Sequence, residues 1–302
     1  MCISKDNFMK MSLGCTMSPE FWSNTLWYVL LGISTLCGLT FILVKTDRRS
    51  NTVAFYLTIA GITLNFEMII LIYFKAYSYY PMILKNPPIP FDNVLAGNLF
   101  SQFSVSATIL LVVVLNLKFY WFIIFAAMYG IIEELFLSLG IYRHNWYRTW
   151  MTVVMLLLAF PISKIMYRKV TQGVKPIVYY GYIYLALFPL FVVFLTWPLQ
   201  LFRLQEFSQL LFSDPVISRH FLAFLHFFVI SFSIMFIYFS KVKWFLKLLV
   251  VVMLYAIYFI GYKLNLLLIE PSWFLPLSTL SFFWMYLSIL ILDRLYGEPL
   301  KR

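Results

Sequence analysis

A chain of 302 residues that is 63% hydrophobic and 12% charged, with mean hydropathy +0.87, does not have the composition of a soluble domain. Soluble domains carry about 25% charged residues. The net charge of +11 falls as short basic punctuation between apolar runs, which is the topological use of Lys and Arg and not a nucleic-acid-binding pattern. The three cysteines, Cys2, Cys15 and Cys37, form no CxxC, which excludes zinc ribbons and redox pairs.

Apolar runs near 20 residues match a bilayer core ~30 Å thick. Runs such as LLVVVMLY (248–255) lack the period-two alternation of a transmembrane barrel. The expected fold is all-α: a polytopic transmembrane helix bundle of about nine spans (eight to ten), forming one integral membrane domain over 1–302.

An N-terminal segment, 1–24, comes first. Its SLGC, ending at Cys15, follows no apolar stretch, so no cleavable signal is expected. The spans are then predicted at 25–44, 52–74, 94–116, 119–140, 150–167, 176–198, 215–239, 244–263 and 273–292. Between the second and third, NPPIP stiffens an extended loop. Between the sixth and seventh, 199–214 is expected to be an interfacial amphipathic segment. Leu201, Leu204, Phe207 and Leu211 would share one face of a short helix there. Asp214 is positioned to cap the seventh span and Pro215 to occupy its first turn. No internal repeat is visible.

Lys and Arg concentrate on one side, in Lys45, Arg48, Arg49, Lys118, Arg168, Lys169, Lys175, Lys241, Lys243 and Lys247 among others. The positive-inside rule then puts the N-terminus outside and the C-terminus in the cytoplasm. Aromatic residues near the span ends fit an interfacial belt.

Three acids fall within spans: Glu67, Glu133 and Glu134. A charged side chain mid-bilayer costs at least ~2.5–3.5 kcal/mol, so these residues should face the bundle interior and have partners. Glu134 shares a helical stripe with Ala127, Gly130 and Ser138, and Glu67 shares one with Tyr56, Ala60 and Thr63. Asn98, Gln102 and Ser106 make a third polar stripe. Glu134 lies ~9 Å and Glu67 roughly 10 Å from the outer ends of their spans, and His220 and His226 lie ~8 Å and ~17 Å into theirs. All belong to the outer half or the midplane, with Arg219 as the expected counter-charge. Carboxylates placed together in low dielectric do not all ionise cheaply, so Glu67, Glu133 and Glu134 are candidate proton carriers or catalytic groups, with His226 as partner. Above them, IYRHNWYRTW offers Arg143, His144 and Arg148 as a headgroup or anion site, together with Arg219 and His220, and Trp146 and Trp150 frame it. Interfacial anchoring is the simpler role for the same segment.

No cofactor is expected. A metal is the alternative, held across helices by Glu67, Glu133 or Glu134, and His226. His220 and His226 are six residues apart and point away from each other, and HExxH is absent.

The block EELFLSLGIYRHNWYRTWMT resembles a helix-end motif of uncharacterised multi-pass membrane proteins of spore-forming Gram-positive bacteria. That resemblance implies a bacterial cell membrane. The pair Glu133–Glu134 also resembles the EExxxR of CAAX-type intramembrane proteases, whose glutamate and histidines activate water. Carried over, Glu133 and His226 would be the matching residues, although Ser138 stands at the Arg position and Leu222 at the Phe position. The expected partners are membrane lipids. Three functions fit: an enzyme acting on a lipid or lipid-linked substrate, a proton-coupled transporter, or a non-catalytic membrane-complex subunit.

Overall fold

The computed structural model describes residues 21–297. Cys2, Cys15, most of the 1–24 segment, and Lys301 and Arg302 lie outside the described residues. Among those described, nine helices are long and apolar enough to cross a membrane. They are α1 Phe21–Lys45, α2 Arg49–Tyr73, α3 Phe91–Val114, α4 Phe119–Ser138, α5 Thr149–Gln172, α6 Pro176–Leu201, α7 Pro215–Phe239, α8 Trp244–Lys263 and α9 Pro271–Tyr296. The chain is therefore a multi-pass membrane protein. Helices α7 and α8 have the expected bounds, and α5 runs on through Pro161 to Gln172.

Two short antiparallel ribbons fix which connections share an end. Strand β1, Tyr77–Tyr79, follows α2 and pairs with β2, Tyr142–His144, which follows α4. Strand β3, Gln205–Phe207, follows α6 and pairs with β4, Leu267–Ile269, which follows α8. An ion pair between Lys75 and Asp214 ties the α2–α3 connection to the start of α7. All four even-numbered connections thus meet at one end, here the ribbon end.

The short helix expected within 199–214 is not formed. Helix α6 stops at Leu201, and Arg203 (φ 56°) closes its C-terminus with Leu204 N–H donating to Leu199 O at 2.9 Å. The chain then alternates, with Gln205 and Phe207 buried against β4 while Leu204 and Leu211 stay exposed. Period-two burial replaced the helical face because β4 supplies the backbone partners.

Lipid provides no hydrophobic drive for helix association, so close packing and buried hydrogen bonds must hold the bundle. Helix α2 is central and packs on α3 and α6. At its crossing with α6, a Cβ on Gly61 would sit 1.8 Å from the carbonyl oxygen of Leu185, so only glycine permits that approach. Asp92, fully buried, accepts from Arg219 at 3.2 and 3.3 Å and from Trp197 Nε1 at 3.2 Å, joining α3, α7 and α6. Asp293 joins α9 to Tyr179 of α6 and Tyr238 of α7. Lys164 reaches the Leu117 carbonyl at 2.8 Å, so its charge escapes the apolar face of α5.

Candidate functional site

The site is built where α4 ends. Gly140 (φ +71°) makes the left-handed turn, with Gly140 N–H donating to Leu137 O and Ile141 N–H to Phe136 O. This double hydrogen bond is the Schellman C-cap that glycine favours. It folds β2 back over the helix end. In β2, Tyr142 is buried, Arg143 is exposed and His144 is half-buried. The register sets Tyr77 opposite His144 and Tyr79 opposite Tyr142, so the inner face of the ribbon presents Tyr77, Tyr79, Tyr142 and His144.

Two of the three expected acids meet beneath this face. Glu67 accepts a hydrogen bond from the Tyr77 hydroxyl. Glu133 lies with Oε1 2.6 Å from His144 Nε2, and its Oε2 accepts from Thr152 Oγ1 at 2.5 Å. Thr152 also lies 3.2 Å from the Tyr147 hydroxyl. The Tyr77 ring centre is 5.6, 5.3 and 5.0 Å from those of Tyr79, Tyr142 and Tyr147. Burial pushes the phenols of Tyr77, Tyr79 and Tyr142 well above their ordinary value, and that of Tyr147 up to about 12. All four rings are therefore neutral at physiological pH.

Glu67, Glu133, Thr152 and these four tyrosines line one cavity of about 370 Å³ among α2, α3, α4 and α5. Ligand pockets typically measure ~300–1,000 Å³. Away from the ribbon the walls are mostly apolar, with Ile59, Ile62, Val105, Ile109, Leu156 and Ala159, and Tyr129 and Ser163 are polar members among them. The lining reaches Met166, which at 1.5 Å per residue lies ~26 Å along α5 from Thr149. Leu158 and Ile162 line the cavity yet are 53% and 55% exposed, so the cavity opens through the side of the bundle.

A second cavity, about 70 Å³, lies on the other side of Glu67 and is lined also by Asn98, Trp197, Gln200 and His220. Asn98 Oδ1 is buried there without a hydrogen-bond partner. The rest of its lining is apolar, with Leu71, Leu99, Val192 and Phe224 among it.

The other expected site residues are dispersed. Glu134 is exposed at the α4–α5 seam and accepts from Thr149 Oγ1 at 2.5 Å. It does not face the interior as expected. It lies about one turn from the end of α4, where a carboxylate can reach the interface. Arg219 pairs with Asp92 and not with a glutamate of the cluster. His220 Nδ1 lies 2.7 Å from Val216 O. His226 bonds Tyr258 and packs on Phe191 and Phe207, lining neither cavity, so a Glu133–His226 pair is not assembled. The same separation leaves the His226-containing metal donor set unassembled. Among the described residues no group of three or more His, Cys, Asp or Glu is placed to hold a metal ion. Arg143 is turned outward, Arg148 donates to the carbonyl of Tyr147 at 2.8 Å, and Trp146 donates to that of Phe74 at 2.8 Å.

Sequence reasoning missed Asp92 and the ribbon tyrosines. An acid in the first turn after IP is a helix-start signal that could have flagged Asp92. The alternation in YSY was available but covers only three residues.

No protein-family model, no curated protein and no solved structure matches the chain.

Proposed function

We propose that the protein takes a single lipid or lipid-linked molecule from the bilayer into the side-opening cavity, and that Glu133 with His144 performs acid–base chemistry at its polar end. One observation carries this reading: a cavity that is apolar along α5, open beside Leu158 and Ile162, and capped at the ribbon end by Glu67, Glu133 and Thr152. That polarity gradient is the shape of an amphiphile. A carboxylate and an imidazole at 2.6 Å, adjoining the cavity, form a workable general acid–base pair.

The basic residues of the opposite end, Lys45, Arg48, Arg49, Lys118, Arg168, Lys169 and Lys175, support an orientation with the ribbon end outside. The amphiphile would then come from the outer leaflet of a bacterial cell membrane.

The test is the lipid carried by the protein purified in nanodiscs, measured by native mass spectrometry. Ala159→Trp, which fills the apolar wall, should abolish one bound amphiphile, while Leu248→Trp on the exposed face of α8 should keep it. Glu133→Gln should keep the bound lipid and change the cellular lipid profile. Equal lipid content in wild type and Ala159→Trp would end this reading.

A proton-coupled transporter is the second reading, favoured because Glu67 lines both cavities. It requires that Glu67→Gln abolish uptake of a solute into proteoliposomes under a proton gradient.

A further inference from the structure

Among the described residues the cavity's acidic lining residues are Glu67 and Glu133, and no Lys or Arg lines it. Arg143 is exposed on the outer face of β2, between two inward-facing neighbours. Arg148 is exposed and holds backbone carbonyls. Neither guanidinium neutralises Glu67 or Glu133. Among the described residues the His144 side chain hydrogen-bonds to Glu133, and its ring meets those of Tyr142 and Tyr147. Glu67 accepts one hydrogen bond, from Tyr77, whereas an ionised carboxylate offers about four acceptor positions.

A phosphate, sulfate or carboxylate terminus would meet two acids, and the one basic side chain beside them among the described residues, the His144 imidazole, is already engaged by Glu133. An ammonium group meets the opposite: carboxylate oxygens and the faces of neutral aromatic rings. Rings attract a cation lying within about 6 Å of their centres, and aromatic walls joined to acids are the recognised arrangement for ammonium ligands. Tyr77, Tyr79, Tyr142 and Tyr147 all line this cavity beside the two glutamates. Tyr142 matters most for testing this, since it lines the cavity and, among the described residues, its hydroxyl has no hydrogen-bond partner.

We infer that the molecule bound in this cavity is an amphiphile whose polar end is an amine or quaternary ammonium, held by Glu67, Glu133 and the tyrosine faces of the β1–β2 ribbon. This rests on the amphiphile reading above and names its headgroup chemistry. The apolar wall provides affinity for the chain. The acids and rings discriminate against neutral and anionic ends of equal length.

The experiment uses the full chain in nanodiscs and three diazirine-bearing probes of one chain length, ending in trimethylammonium, hydroxyl or phosphate. Crosslinks to Ile62, Ala159 and Met166 are read by peptide mass spectrometry. The ammonium probe should half-saturate at about tenfold lower concentration than the other two, an advantage of ~1.4 kcal/mol. Glu67→Gln combined with Glu133→Gln should remove that preference while labelling by the hydroxyl probe persists, which also shows that the variant is folded. Tyr142→Phe should keep the preference and Tyr142→Leu should reduce it. Equal labelling by all three probes would overturn the headgroup assignment and leave the amphiphile reading standing. Absence of cavity labelling by any probe would overturn both. Tetramethylammonium, which has no chain, should not compete at the ammonium probe's concentration. If it does, the ligand is a free cation and not a lipid.

Discussion

Oε1 of Glu133 lies 2.6 Å from Nε2 of His144, eleven residues further on, across a turn that Gly140 alone makes inexpensive. The pair joins the end of α4 to β2, and both side chains are nearly buried. Removing the imidazole strands a carboxylate with Thr152 as its remaining donor. His144→Ala should therefore lower stability by about 2 kcal/mol, the scale for a hydrogen bond to a charged group. Adding Glu133→Gln should recover part of the loss, because the stranded charge is gone. Chemical denaturation of the four proteins of this cycle measures it, and strictly additive effects would contradict the pairing.

Arg219 and Asp92 form a second, separate pair deep between α7 and α3. Breaking one side of a buried pair costs about 3–5 kcal/mol, whereas replacing both by apolar residues is often neutral. Arg219→Met should be severely destabilising, and Asp92→Leu added to it should restore much of the stability. The corresponding cycle between Arg219 and Glu134 should show no coupling, since those side chains have other partners.

Gly61 tests the packing at the centre of the bundle. A methyl group there would collide with the Leu185 backbone, and backbone cannot swing aside as a side chain can. Gly61→Ala should cost at least about 3 kcal/mol, the upper end for overpacking, and lower the yield of folded protein. Gly38, with nothing near its missing Cβ, should tolerate alanine without loss of melting temperature.

The Lys75–Asp214 bridge sets a pH dependence. Lys75 beside Asp214, together with the N–H groups of Ile217 and Val216, holds the carboxyl below the ordinary aspartate range. The depressed value means this stabilisation is fully present above the ordinary aspartate value and is lost as pH falls through the depressed one. Lys75→Met should thus melt lower than wild type at neutral pH, and the two curves should converge in strong acid. The difference should be small and shrink with salt, because Lys75 is 61% exposed. A constant gap at every pH would contradict the assignment.

The spans were legible because the bilayer demands long apolar runs, and α7 and α8 have the bounds that those runs predict. The shared side of Glu67, Glu133 and His220 was legible too, since it follows from the parity of the spans. What sequence could not supply was rotation. Glu133 and Glu134 differ by about 100° around α4, and only packing against α5 decides which one enters the cavity. Gly130 sits 3.1 Å, by its would-be Cβ, from Val153, so α5 lies close on that side and Glu134 stays at the seam. Arg219 was matched to the wrong acid because Asp92 falls just outside the apolar run and read as loop. The tyrosines of β1 and β2 sit in three-residue strands, too short for alternation to stand out from an interfacial belt.

The proposed occupant of the space between α2 and α5 is an amphiphile from the bilayer. An experimental structure of the protein in lipid nanodiscs tests it most directly. One elongated density is expected, with its polar end against Glu67 and Glu133, running past Ala159 toward Met166 and continuous with lipid beside Leu158 and Ile162. A cavity closed by repacked side chains, or filled by ordered water from the ribbon end to Met166, would contradict it.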